Sequence, residues 1–222
     1  MSDDHGRTSG TERLLTVLAW AVLLLGLLLW GRGVTGERPD PAGPATGDVA
    51  GLGRSAEVRL PPAAKPLGAA LPQRIDIPEL GVQAPVTARG LDGRGAVDPP
   101  PMSQPGVVGW YRAGATPGAA GTALMVGHVD TRTRPAVFYK LSTLQPGETV
   151  RVVRADGKVA RFTIDDIRVL PRDDFDAQAA YGPRRPGRAE LRLITCGGTY
   201  DRATRSYTAN VVVSAYLTGT GP

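Results

Sequence analysis

Residues 148–170 read ETVRVVRADGKVARFTIDDIRVL. Polar and apolar residues alternate on both sides of Asp156-Gly157, which is the period of a strand with one buried face. An Asp-Gly pair tolerates the positive φ angles of a tight turn, so the stretch is expected to form a β-hairpin. The other apolar runs agree with it. QRIDIP (73–78) alternates and stops at Pro78, while VQAPVTARGL (82–91) holds Pro85, as an edge or a bulge would. GVVGWY, GTALMVGHV, AELRLIT and ANVVVSAYL are short and apolar, with Gly and Pro between them. About eight short strands predict an all-β barrel or sandwich. Two short helical pieces are expected, near 135–144 and near 173–181. There is no internal repeat.

The first 72 residues stand apart. Leu14 to Gly31, LLTVLAWAVLLLGLLLWG, carries no charge. At about 1.5 Å per residue it just covers a hydrocarbon core about 30 Å thick. Trp30 lies at its outer end, where an indole favours the headgroup layer, and Arg13 and Arg32 bracket it. A cleaved signal peptide is the competing reading. Its apolar region usually spans about 7–15 residues before a small-residue site. This run is longer and GRGVTGE follows, which favours an uncleaved signal anchor. Beyond it the chain is rich in Pro, Gly and Ala, with too few large apolar residues to offset its ordering entropy. The expected organisation is a cytoplasmic segment 1–13, a single transmembrane anchor 14–31, a flexible linker 32–72, an extracellular folded domain 73–218 and a tail 219–222.

The formal charge is +5, from 26 basic and 21 acidic residues. No dense Lys/Arg cluster interleaves with aromatics, so no nucleic-acid partner is expected. One cysteine cannot form an internal disulfide, so the fold must stand on its core.

That cysteine, Cys196, ends the apolar stretch in LRLITCGG (191–198). A lone buried Cys is commonly an inert small hydrophobe. In an exported domain an unpaired thiol is a liability unless it is used. Gly197 and Gly198 leave room for another chain to approach. His128, in LMVGHVDT, likewise follows an apolar run and a glycine, and it is the domain's only histidine, since His5 precedes the anchor. One Cys and one His fall short of the three or four ligands a metal site uses, so neither metal nor cofactor is expected. They suffice for thiol chemistry, because an imidazolium lowers a thiol pKa and can protonate a leaving amine. An oxyanion needs fixed donors, and a guanidinium stays charged. Arg202 and Arg205 follow the thiol. Arg205 shares strand parity with Tyr207, Ala209, Val211 and Val213, and is chosen over Arg202.

The pattern RIDIPELGVQAPV…GHVDTRTRPAVFYKL…LRLITCGGTYD…NVVVSA resembles the sortases, and most of all those of class F, from about Gln73 to Leu217. The resemblance implies an eight-stranded β-barrel. It implies a cysteine transpeptidase that cleaves a Leu-Pro-x-Thr-Gly-like motif near the C-terminus of secreted proteins and passes the acyl group to an amine of the cell-wall precursor. It makes Cys196 the nucleophile, His128 the acid/base and an arginine on or before the last strand the third member. Tyr207, Thr208 and Ala209 stand where that strand begins and none is an arginine. Arg205 therefore has to reach from a turn. GGTYD after the thiol departs from the best-studied subclass and leaves the substrate open. The Pro/Gly content of DDFDAQAAYGPRRPG suits a substrate-facing loop. Three other readings share parts of this pattern: a thiol–disulfide protein, which lacks its second Cys; a membrane-tethered binding domain without catalysis; and a plain cysteine protease with water as acceptor.

Overall fold

The computed structural model describes residues 59–222, except 94, 174, 175 and 177–179. The apolar run 14–31, most of the linker and His5 lie outside them. Among the described residues no helix is long and apolar enough to cross a membrane.

Eight strands are present: β1 (Pro72–Ile77), β2 (Val82–Arg89), β3 (Val108–Tyr111), β4 (Gly121–Val126), β5 (Thr149–Arg154), β6 (Val159–Pro171), β7 (Ala189–Asp201) and β8 (Ser206–Gly221). They close into one barrel in the order β1-β2-β3-β4-β7-β8-β6-β5, with β5 returning to β1. Closure removes the free edges that an open sheet would expose. Two neighbouring pairs, β2/β3 and β4/β7, run parallel and the others antiparallel. Alternation sets the inside: Ile75, Ile77, Val150, Val152, Phe162, Ile164, Leu191, Leu193, Val211 and Val213 all point into the closed core.

The predicted hairpin is β5–β6, but its turn differs in detail. Gly157 alone takes a positive φ, +79°, and its N–H donates to the Arg154 carbonyl at 3.1 Å. Asp156 instead uses its carboxylate, which accepts from the Lys158 N–H at 3.2 Å and pairs with Arg154. The helical piece near 135–144 is a single 3-10 turn, Leu141–Thr143. Near 173–181, Ala180 and Tyr181 are helical, and most of the remaining residues lie outside those described.

Composition misplaced residues 59–71. They run along the barrel, and backbone bonds tie Ala64 N–H to the Leu217 carbonyl and Leu67 N–H to that of Gly118, both at 2.8 Å. Tyr216 Oη donates to the Pro61 carbonyl at 2.5 Å. Arg154, buried, reaches the Gly68 carbonyl at 2.7 Å. Gly118, at φ +96°, leaves the space this guanidinium fills, since a Cβ there would lie 2.7 Å from it. The segment has few large apolar side chains, of which Leu67 packs against the core, and it places its polar backbone groups against partners, which composition does not register.

The outer face of β7 is covered as well. Glu190 and Arg192 are buried there although they face away from the core. Glu190 accepts from the N–H groups of Arg184 and Arg185 at 2.9 and 3.0 Å, from Arg188 at 2.9 Å and from Arg192 at 2.8 Å. Asp165 adds bonds to Arg184 and Arg188, each at 3.2 Å. Arg184, Arg185 and Arg188 thus clamp the stretch 182–188 to the sheet, and this stretch includes the end of the loop 173–187 expected to face a substrate.

Candidate active site

The parallel pairing of β4 and β7 aligns Val126 with Ile194. His128 and Cys196 each lie two residues beyond that pair, on adjoining chains, and neighbouring strands are about 4.8 Å apart. The ladder persists past β4, since Gly127 N–H donates to the Ile194 carbonyl at 3.1 Å. The register thus brings together two residues 68 positions apart in sequence. Both line one pocket of about 600 Å³, together with Met102, Asp130, Tyr200, Arg205 and Tyr207.

Cys196 does not end its strand. β7 continues to Asp201 and turns through 202–205 into β8, forming a hairpin arm whose last pair is Asp201 with Ser206. Cys196 pairs with Asn210, and the register shifts between Gly197 and Tyr200. Both glycines serve a close approach, though the chain that approaches is β8 itself. A Cβ on Gly197 would lie 2.6 Å from Val211 Cγ2, and one on Gly198, at φ +76°, would lie 2.6 Å from Thr208 Oγ1. Thr208 Oγ1 accepts the Thr199 N–H at 3.0 Å, which fixes the irregular turn of the strand beside the thiol. Gly198→Val should therefore cost about 1–3 kcal/mol and shift the thiol. Thermal melting together with the alkylation rate of Cys196 checks this, and a variant matching wild type in both would contradict it.

The thiol is open to the pocket while the sheet crowds it from below. Loss of hydration pushes its pKa above the ordinary cysteine value, the Arg172 guanidinium pulls it down, and the Asp130 carboxylate pushes it up. Desolvation therefore outweighs the lowering from the neighbouring Arg172 guanidinium.

His128 is held from its far side. Its Nε2 lies 2.6 Å from the Pro100 carbonyl oxygen. A carbonyl only accepts, so Nε2 carries a proton and Nδ1 is the nitrogen left for proton exchange. Gly127 gives the loop its path, because a Cβ there would meet Phe138 at 2.6 Å and Val137 at 2.7 Å.

Arg205 lines the pocket from the hairpin turn, whereas Arg202, exposed in the same turn, is not part of the lining. Arg205 is not on the strand. Its φ of 52° is left-handed, among the described residues the only non-glycine value of that kind. Its guanidinium has no hydrogen-bond or ion-pair partner among the described residues.

Three features of the site were not assigned from sequence. Tyr207 donates its hydroxyl to Asp130, bridging the arm that carries the thiol to the loop that carries the imidazole. That bond, helped by burial and the carboxylate charge, pushes the tyrosine pKa up to about 12. Tyr200 packs edge-on against Tyr207 with ring centres 5.2 Å apart. Arg172 follows β6 and donates to Ser206 Oγ and the Tyr207 carbonyl at the start of β8. Asp130 stood in the GHVDT motif, but nothing in the sequence linked it to a tyrosine 77 residues away.

Fold and site together define a closed β-barrel that carries a thiol within one strand and an imidazole just past the end of the parallel strand beside it. A sortase domain model matches residues 75–218, well over half of the chain, and the protein belongs to the sortase family, whose members are cysteine transpeptidases. No curated protein matches the sequence. Among solved structures, the chain is similar to sortase C of Streptococcus pneumoniae, with 16% identity and a TM-score of 0.50 over 67% of this chain and 69% of that one. It is also similar to sortase C-1 of the same organism, with 19% identity and a TM-score of 0.50 over 65% of each chain. A lid mutant of sortase A from Corynebacterium diphtheriae matches with 19% identity and a TM-score of 0.50, over 70% of this chain and 74% of that one. At these identities the likeness is one of fold, and it spans about two thirds of those chains.

Proposed function

We propose that the protein is a membrane-anchored sortase that cleaves a Leu-Pro-x-Thr-Gly-like motif in secreted proteins and transfers the acyl group to an amine of the cell-wall precursor. The observation that carries the reading is the β4/β7 register, which sets Cys196 beside His128 at the mouth of one pocket. The longer pattern from RIDIPELGVQAPV to NVVVSA supports a class F subtype in this reading.

In this reading, His128 takes the proton of Cys196 and the sulfur attacks the scissile carbonyl. The carbon–nitrogen bond breaks, His128 returns the proton to the leaving amine, and a thioester on Cys196 remains. An incoming amine attacks that thioester with His128 as base, the carbon–sulfur bond breaks, and the thiol is restored. Arg205, unpaired on the rim, donates to the carbonyl oxygen as it gains charge. The uncharged run 14–31 holds the domain at the outer face of the membrane.

Arg205→Gly separates this role from stability. Glycine adopts the left-handed conformation without penalty, so the variant should melt at or above the wild-type temperature, by up to about 1–2 kcal/mol of added stability. Its motif-cleavage rate should fall about tenfold or more. Loss of activity with loss of fold, or full activity, would remove Arg205 from the mechanism.

The function itself is tested by mass spectrometry of products from a sorting-motif peptide library, with and without an added amine such as triglycine. Transfer products should dominate when the amine is present. Hydrolysis products alone would favour a plain cysteine protease, and no cleavage at all would favour a binding domain.

A further inference from the structure

We propose that Arg172, contributed by the end of β6, is the fixed cation that favours the ionised sulfur of Cys196. The inference rests on the assignment of Cys196 as the reacting group and names a residue that supports it.

The placement follows from the ladder. Leu170, Asn210 and Cys196 form one row across β6, β8 and β7. Arg172 lies two residues beyond Leu170, on the same face. Its N–H donates to the Thr208 carbonyl at 3.0 Å, so Arg172 is the sheet neighbour of Thr208. The start of the last strand, 207–209, has no arginine of its own. Arg172 supplies one from the adjacent strand. Its guanidinium runs along β8, donating to Ser206 Oγ and to the Tyr207 carbonyl at 3.4 Å. Ser206 and Tyr207 both line the pocket that holds the thiol.

The other charged and titratable groups around Cys196 divide by element. His128, Asp130 and Arg132 face it from the loop after β4, and Tyr200, Arg205 and Tyr207 from the hairpin arm. Asp130 opposes ionisation of the thiol and Arg172 favours it. Arg205 differs in kind: it is untethered, and so suits a substrate that comes and goes. A tethered charge needs no reorganisation when the sulfur ionises. Arg172 is a positioning residue in this scheme, since it acts on the sulfur through the field at the site and through the arm it holds.

The test reads the sulfur and not turnover. Iodoacetamide alkylation of Cys196, the only thiol in the chain, is followed from pH 6 to 11 in the full-length protein. Arg172→Ala should move the profile to higher pH and slow alkylation at pH 7.5 by about three- to tenfold. Arg172→Lys should recover most of the rate, and Arg202→Ala should leave it unchanged. Melting temperatures identify any variant that has lost its fold, and Arg172→Gln, which keeps donors without charge, then replaces alanine. An unchanged profile in the uncharged variants would overturn the proposal. So would a shift in Arg205→Ala as large as theirs, or no recovery with lysine. If alkylation shifts as expected while the wild type cleaves no sorting peptide, Arg172 keeps its role and the transpeptidase assignment fails.

Discussion

Cys196→Ala lowers sorting-motif cleavage by roughly a thousandfold or more and leaves the melting temperature nearly unchanged. The two halves of this expectation come from different parts of the structure. Every step of the proposed reaction passes through the sulfur, and loss of a covalent nucleophile commonly removes almost the whole of the chemical acceleration. The side chain itself faces the pocket and fills no core position, so trimming it to a methyl should alter stability by about 0.5 kcal/mol or less. His128→Ala should cost a comparable amount of activity, and the double variant little more than either alone, because the two groups act as one unit. Additive losses would mean that thiol and imidazole work separately, and substantial turnover in Cys196→Ala would end the mechanism. A peptide-cleavage assay paired with a thermal melt measures both.

Glu190→Ala gives the largest expected loss of stability. Glu190 is fully buried and receives four hydrogen bonds, two from backbone N–H groups and two from arginines. Without it, Arg192 stays buried with only the Gly182 and Leu191 carbonyls as partners, and the stretch 182–188 loses its clamp. Removing one member of a buried ion pair typically costs about 3–5 kcal/mol. For a domain of this size that corresponds to a fall of roughly 10 °C in Tm. The pH dependence follows from the same group. Burial pushes the Glu190 carboxyl pKa up, but the bonds from the Arg184 N–H, Arg192 and Arg188 outweigh it and leave the carboxyl below its ordinary value. A carboxylate with a depressed pKa stabilises the fold above its unfolded pKa of about 4.3, and that stabilisation is lost as pH falls through the folded value. Wild type should therefore destabilise below about pH 4, with a shallower acid slope in the alanine variant. A variant within 2 °C or so of wild type at neutral pH would show that the clamp is dispensable.

The strands were legible because their faces differ: alternation in 148–170 and 189–195 marks one side for the core, and the structure buries the expected residues. The Asp156-Gly157 turn was located correctly, yet its geometry was not, because Asp156 uses its side chain where positive φ was expected. The segment 59–71 was misread for a related reason. Its bonds to the barrel are made by backbone, and backbone partners leave no trace in composition. At the site, sequence could name Cys196 and His128 but not the parallel register that joins them, since parallel neighbours are separated by long connections. The same holds for Tyr207 with Asp130 and for Arg172 with the start of β8. Each depends on which strands adjoin in the closed barrel, and only the folded chain determines that order.

A covalent acyl link at Cys196 is the step through which the whole proposed reaction passes. Intact-mass spectrometry of the protein mixed briefly with a sorting-motif peptide, without an amine acceptor, measures it directly. The wild type should gain the mass of the peptide fragment N-terminal to the cut, on the peptide containing Cys196, and hydroxylamine should release that fragment as a hydroxamate. Cleavage of the peptide with no adduct on Cys196 would contradict the account.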